Sequence, residues 1–229
     1  MKIAVCSIGS PCLLVFKASV EAYAKEHDIV LSGPGGQYTN IGKNFGEAYN
    51  ELLFKIFETE TECLVANDDI VLDPNTINIL LQDVEQLKIS EPKLGWIGAR
   101  SNRVSGDQGL LAFRKDIGAK QTGFIAPIFA WVSREAFLAA PFAKTHWYSD
   151  NLSCSEMHRL GYKMFVSRAY VHHVGSASGK PKGEPGDLKA EAGKWMWLHH
   201  PEYAKKWKLS MPDTLNKIWG VDNRMANDV

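Results

Sequence analysis

The sequence predicts an α/β protein built on a mostly parallel, doubly wound sheet with helices on both faces. Over roughly the first hundred residues, short apolar runs that end in turn-forming residues alternate with segments of helical periodicity. Such runs are typical of buried parallel strands, each followed by a helix that covers one face of the sheet. Ligands of these sheets bind beyond the carboxyl ends of the strands, where functional residues are therefore expected.

Four strands and three helices are predicted in this first part. The strands are residues 2–8, 28–33, 62–67 and 94–100. The helices are residues 13–27, 43–59 and 73–87. The last helix is predicted to begin with Asp73 as its N-cap and Pro74 in its first turn, because aspartate accepts from free backbone N–H groups and proline lacks one.

The pattern loosens after residue 105. A polar, glycine-containing loop is predicted at 105–123, a strand leading into a helix at 124–137, and a helix followed by a strand at 147–176. Residues 177–189 are interpreted as a linker before an aromatic-rich tail. The expected organisation is a main domain at 1–178, with halves at about 1–105 and 106–178, and a linker with a helical tail at 179–229.

Composition restricts the class of protein. The 26 basic and 26 acidic residues cancel, which argues against coating nucleic acid by bulk charge. No apolar run approaches the ~18 residues that span a bilayer. The four cysteines form no CxxC pair, and the N-terminus lacks a secretory cleavage pattern, so we expect free thiols in the cytoplasm of a bacterium or phage-infected host.

Two adjacent carboxylates, Asp68 and Asp69, follow the third predicted strand. They repel each other unless a cation or a set of donors lies in front of them. One interpretation is a site for Mg²⁺ or Mn²⁺ bridging a diphosphate, since these cations prefer oxygen ligands. The other is a solvated loop at a strand end, and this stretch alone leaves both open.

Several motifs in order carry a family resemblance. They are NFGEAYNELL from residue 44, LVANDDIVLDP from residue 64, PKLGWIGAR from residue 92, GFIAPIFAWVSREAF from residue 123, YSDNLSCSEMHRLGYKMF from residue 148, AYVHHVGSAS from residue 169 and YAKKW from residue 203. Together they resemble GT-A glycosyltransferases, in particular the inverting family 2. The resemblance implies a Rossmann-like GT-A fold with a C-terminal helical extension, and transfer of a sugar from a nucleotide-sugar, here a UDP-sugar, to an acceptor hydroxyl.

The resemblance also implies site residues. Asp150 would be the general base, and Asp69 and His172 would hold the divalent metal. The nucleotide-sugar contacts would be Cys6, Ser7, Ile8, Ser32, Asn44 and Asp68.

This chain departs from the family pattern at two places. Asn67 stands where the acidic motif usually begins, and Ser149 and Leu152 replace acids around Asp150. On the residues alone, Asp150 is also explained as a helix N-cap. His172 and His173 are adjacent on a strand and point to opposite faces, so only one of them can face the site.

The acceptor stays open at this point: a glycan, a lipid-linked acceptor and hydroxymethylated phage DNA all fit. Lysine and tryptophan side chains within 180–208 suit contact with nucleic acid or an anionic membrane surface, or packing with the lysines in solvent. The alternative functions are a non-catalytic nucleotide-sugar-binding protein of the same fold and a metal-dependent phosphohydrolase.

Overall fold

The structure is a computed structural model, and it describes residues 1–104, 106–109, 118–174 and 185–212. The chain divides into two compact units, Met1–Lys182 and Gly183–Val229. The first holds the sheet and five helices among its described residues, and the second holds two helices.

The strands, in chain order from β1 to β8, are Lys2–Cys6, Asp28–Ser32, Glu62–Asn67, Ile70–Leu72, Leu94–Ser101, Lys120–Thr122, Phe129–Ser133 and Lys163–His173. The helices, from α1 to α7, are Cys12–Tyr23, Phe45–Ile56, Thr76–Ser90, Arg134–Ala139, Ser149–Arg159, Pro185–His199 and Pro201–Lys206. A short 3-10 turn lies at Gly106–Gln108.

In the described part of the first unit the strands form one open sheet in the order β2-β1-β3-β7-β5-β8-β4, with β6 beside β8. Five strands (β1, β2, β3, β5 and β8) run in one direction. Strand β7 lies antiparallel between β3 and β5. The predicted α/β architecture with a mostly parallel sheet is therefore confirmed.

The core lies on both faces of this sheet. Side chains alternate along β1, so that Ile3 and Val5 face one side and Ala4 the other, all fully buried. Helices α1 and α3 cover the first face, and α2, α4 and α5 cover the second. The apolar stripe of α2, including Leu52 and Leu53, is what fixes that helix to the second face.

Two strands were not predicted, and one helix begins later than expected. Strand β4 runs to Leu72, so that Asp73 lies in the turn that follows it. Helix α3 begins only at Thr76, and its N-cap is Asn75, without a side-chain hydrogen bond. The prediction that Asp73 caps this helix is wrong: its backbone N–H donates to Thr76 Oγ1 (2.9 Å), which donates in turn to the Tyr170 carbonyl (2.6 Å).

The second unit contains α6 and α7. The segment after α7 is joined to α6 by Trp197, whose indole N–H is shared between the carbonyls of Leu209 and Ser210, each at 3.2 Å. Tyr203 and Trp207 stack with ring centroids 5.4 Å apart. Among the described helices of the whole chain, none has the length and apolar character needed to span a membrane.

Candidate active site

Asp68 and Asp69 lie directly after β3 and are almost completely buried. Ser7 Oγ donates to Asp68 Oδ2 at 2.5 Å. Burial raises the pKa of Asp68, the Ser7 hydrogen bond opposes this shift, and the charge of Asp69 adds to it. Two buried carboxylates side by side need positive or donating partners.

Three strand ends meet beside this pair. The register places Cys6 of β1 between Ser32 of β2 and Asn67 of β3. The Ser7 N–H donates to the Ser32 carbonyl at 2.8 Å, and the Asn40 amide donates to the Ser7 carbonyl at 2.8 Å. These bonds hold the three strand ends close together at the carboxyl end of the sheet, and we call this group of strand ends the floor.

Gly33 shows how tight this floor is. Its φ is +135°, and a Cβ built on it would lie 2.0 Å from the Ser7 carbonyl oxygen. Only glycine fits this close approach. Around it the predicted nucleotide contacts differ in access: Ser7 and Ser32 are buried, Cys6 is half-buried and Ile8 is 47% exposed.

Asn44 does not belong to this floor. Its Oδ1 accepts from the backbone N–H of Glu47 at 3.0 Å, and the Glu47 carboxylate accepts from the Asn44 N–H in a complete capping box. Its Nδ2 donates to the Lys144 carbonyl at 3.0 Å. Both side-chain atoms therefore have partners inside the protein, and the structure gives Asn44 a capping role, whereas its contact with the nucleotide stays a prediction.

The histidine beside the acidic pair is His173. Its Nε2 lies 3.0 Å from Asp69 Oδ1, and its backbone is held by Asn102 through two hydrogen bonds. Of the two histidines the resemblance selects His172, which is exposed with its Nδ1 3.2 Å from the Tyr170 hydroxyl, so the structure puts His173 and not His172 beside Asp69. The pairing of Ile70 with His173 sets which ring faces Asp69.

In the described parts of the chain, no three His, Cys, Asp or Glu side chains gather as a metal-binding group. The side chains of Asp69 and His173 suit a cation that takes its other ligands from outside the protein. Asp69 offers hard carboxylate oxygens next to His173, whose Nδ1 is buried without a hydrogen-bond partner among the described residues. Mg²⁺ and similar cations are commonly held by one or two carboxylates together with substrate phosphates and waters. The residues present fit a cation that arrives with a diphosphate.

Helix α5 brings Asp150 to the carboxyl end of the sheet, the end at which Asp68 and Asp69 lie. The helix ends near the beginning of β5, because β8 follows it closely and pairs Lys163 with Leu94. Farther along β5, the Trp96 indole N–H donates to Ser153 Oγ at 3.3 Å. Asp150 lies one turn beyond Ser153, toward the carboxyl end of β5, and β5 runs in the same direction as β3.

The segment before β7 links α5 to the end of β3, which Asp68 and Asp69 follow. At one end, Cys154 of α5 and Ile125 are joined by contacts between Sγ and the backbone at 3.4 and 3.5 Å. At the other end, the Asn67 N–H donates to the Ile128 carbonyl at 2.8 Å. This short connection fixes the position of α5 relative to the end of β3.

Asp150 is a half-buried carboxylate with an altered acidity. Burial raises its pKa to about 6, and the Asn151 N–H, which donates to Asp150 Oδ1 at 2.9 Å, acts in the opposite direction. The helix N-cap is Tyr148, without a side-chain hydrogen bond, and Ser149 Oγ bonds backward to the carbonyls of Ala143 and Thr145. A carboxylate with a pKa near 6 is suited to accept a proton near neutral pH.

The loop before α5 is held by α2, which sequence reasoning did not foresee. Asn50 is buried and forms two hydrogen bonds with the Phe142 backbone, at 2.8 and 3.0 Å. The Gly46 N–H donates to the Thr145 carbonyl at 3.1 Å. We call Asn44, Gly46 and Asn50 the α2 clamp. Its signal in the sequence was the spacing of Asn, Gly and Asn in NFGEAYN, and only the fold shows what these residues bind.

We expect Asn50→Ala to lower the free energy of unfolding by about 2–3 kcal/mol, because it leaves the buried Phe142 N–H and carbonyl without partners. Urea unfolding followed by circular dichroism measures this. Asn75→Ala is the matched control, since Asn75 is exposed and its side chain caps nothing. Equal stability of the two variants would contradict the role of the clamp.

Comparison with known proteins identifies solved structures that share this fold. No protein-family model and no curated protein sequence matches this chain. Among solved structures, S. aureus TarS 1-349 in complex with UDP-GlcNAc matches with a TM-score of 0.59 and 11% identity, over 86% of this chain and 65% of that chain. A second structure of S. aureus TarS 1-349 matches with a TM-score of 0.55 and 10% identity, over 91% of this chain and 75% of that chain. This chain thus spans under two thirds of the length of the first structure, and the likeness shows a shared fold, the GT-A type of open, mostly parallel α/β sheet.

Proposed function

We propose that this protein is a glycosyltransferase that moves one sugar from a nucleotide-sugar, a UDP-sugar, to an acceptor hydroxyl with inversion. One observation carries the proposal. The carboxyl edge of the sheet holds the acidic pair Asp68 and Asp69 and also the desolvated carboxylate of Asp150, in a fold that holds UDP-GlcNAc in TarS.

The donor would lie on the floor formed by β1, β2 and β3. Asp68 uses Oδ2 for the Ser7 hydroxyl, and its Oδ1 would accept from the ribose. Cys6 and Ser32 would line the base, and the exposed Ile8 would cover it from the solvent side. Asp69 would hold a divalent cation, Mn²⁺ or Mg²⁺, that neutralises the charge growing on the leaving diphosphate. His173, beside Asp69, replaces His172 in this assignment.

Asp150 would act as general base in a single displacement. The acceptor oxygen bonds to the anomeric carbon as the bond from that carbon to the diphosphate breaks, and the hydroxyl proton passes to Asp150. This route needs no protein nucleophile. Burial raises the pKa of the Cys63 and Cys154 thiols, so that neither is poised as a thiolate.

The catalytic domain in this proposal is 1–178, and 179–229 is an extension. Lysines and aromatic residues within 180–208 would help to recruit the acceptor. Its helices α6 and α7 are formed, with Trp195 beside His199 at a ring distance of 4.7 Å.

The test is donor binding measured by thermal shift. We expect one nucleotide-sugar of a panel that includes UDP-GlcNAc to raise the melting temperature with Mn²⁺ present, and less so without it. Asp69→Asn should remove the part of this shift that depends on the metal, because one hard oxygen donor is lost. Slow release of free sugar from the same donor should accompany binding.

Asp83→Asn is not a suitable control, because Asp83 is buried and paired with Arg168 at 2.7 Å. Asp28→Asn is suitable, since Asp28 is exposed and pairs only at the surface with Lys2. If the Asp69 variant binds the donor with Mn²⁺ as well as the Asp28 variant does, the metal assignment is wrong. If no nucleotide-sugar binds to the unmodified protein, the proposed function is wrong.

A further inference from the structure

The segment that leads into α5 has a rigid backbone. Besides the α2 clamp, the single Ser149 hydroxyl proton is shared between the carbonyls of Ala143 (2.9 Å) and Thr145 (2.5 Å), and the Ala143 N–H donates back to the Ser149 carbonyl. Phe142, Thr145 and Ser149 are buried. A loop with this many internal bonds holds its outward-facing side chains in fixed positions.

Trp147 is the large side chain that this segment presents to solvent. Its exposure is 45%, although an indole is normally among the better-buried side chains. The next residue, Tyr148, has a φ of +67°, a left-handed conformation that costs a non-glycine residue energy. Such strain is retained where the surrounding structure enforces it, and it clusters at functional sites. Here it sets the direction in which the chain passes from Trp147 into α5.

Trp147 is also close in sequence to the carboxylate that would deprotonate the acceptor. Asp150 lies in the first turn of α5, two residues after the left-handed residue Tyr148 and three after Trp147. This short separation along the chain keeps the backbone positions of Trp147 and Asp150 near each other at the start of α5. Aromatic side chains with a few polar groups are the usual lining of small-molecule sites.

We propose that Trp147 forms the acceptor subsite and stacks on the apolar face of a sugar ring, so that a ring hydroxyl points to Asp150. This inference rests on the proposed function and adds the class of acceptor, a carbohydrate. At this subsite a nucleic acid is disfavoured, because the segment 141–149 has Lys144 as its single lysine or arginine. A neutral ring needs no such charge.

The test uses saturation-transfer NMR of methyl glycosides of glucose, galactose and N-acetylglucosamine, with UDP and Mg²⁺ present, because Mg²⁺ is diamagnetic and leaves the ring-proton signals readable. We expect saturation of ring protons by the unmodified protein, a loss of roughly tenfold in affinity in Trp147→Ala, and most of the affinity in Trp147→Phe. Tyr23→Ala is the matched control, because Tyr23 is 47% exposed at the end of α1.

Three results would overturn the inference: equal glycoside signals in Trp147→Ala and Tyr23→Ala, no glycoside signal with the unmodified protein, or a signal only with duplex DNA containing hydroxymethylcytosine. Donor binding by thermal shift is recorded on the same samples. Donor binding that persists while the glycoside result fails contradicts only the acceptor subsite, whereas loss of both contradicts the proposed function itself.

Discussion

Asp150→Asn is expected to lower the rate of sugar transfer by about 10²–10⁴-fold, the usual contribution of a general base. The amide keeps the shape of the side chain and an oxygen that accepts from Asn151, but it cannot take a proton from the acceptor. Donor binding should be unchanged, because Asp68 and Asp69 lie on a different element. Initial rates with a radiolabelled donor, together with the thermal shift by the donor, measure both effects.

The pH profile gives a second readout of the same carboxylate. Burial raises the pKa of Asp150 to about 6, so the form that accepts a proton is lost as the pH falls through that value. We expect kcat/KM to fall about tenfold per pH unit below it, whereas an ordinary aspartate would stay ionised down to about pH 4. Asp28→Asn should leave both rate and profile unchanged.

A profile that stays flat down to pH 4 would show that another group takes the proton. Full activity of Asp150→Asn would show the same, and it would return Asp150 to the role of a first-turn acid that favours the positive end of the helix dipole. Loss of donor binding in this variant would instead show that the two sites are not separate.

Gly46→Ala is expected to lower the free energy of unfolding by about 3 kcal/mol, at the upper end of overpacking costs, and to reduce transfer as well. A Cβ at this position would lie 1.7 Å from the Ala143 carbonyl oxygen and 3.0 Å from Ser149 Oγ. The neighbour is backbone, so the segment that carries Trp147 and Asp150 must move. Urea unfolding gives the stability, and transfer is measured at a temperature where the variant remains folded.

Gly193→Ala is the control for this change, because Gly193 also lies within a helix and a Cβ there meets nothing within 4 Å. Alanine is the better helix former, so this variant should be as stable as the parent or up to ~1 kcal/mol more stable. If both alanine variants unfold alike, the close approach of α2 to the 141–149 segment is contradicted.

Most of the first half of the fold could be predicted from the sequence. Buried parallel strands such as β1 and β3 are short apolar runs, and α2 has a clear apolar stripe, so local patterns suffice. Strands β4 and β6, with three residues each, are too short for any periodicity. Missing β4 also led to the wrong cap at Asp73, since the chain is still extended up to Leu72.

Local sequence contains only part of the information that arranges the candidate site. The acidic pair is visible because adjacent carboxylates after an apolar run are unusual. The choice between His172 and His173 depends on the register of β8 against β4, which local sequence does not contain. Asn44 and Asn50 are polar residues in a motif, and whether they bind a ligand or backbone depends on chain segments that lie far away in sequence.

The antiparallel strand β7 has a consequence for how the protein is made. It pairs Ala66 of β3 with Phe129 and Gly98 of β5 with Ala130, joining the two halves of the sheet. While the nascent chain is shorter than this, β3 has an unpaired edge of apolar residues open to other chains. The centre of the sheet therefore becomes complete only after β7 has been synthesised, and such long-range pairing is slow to form.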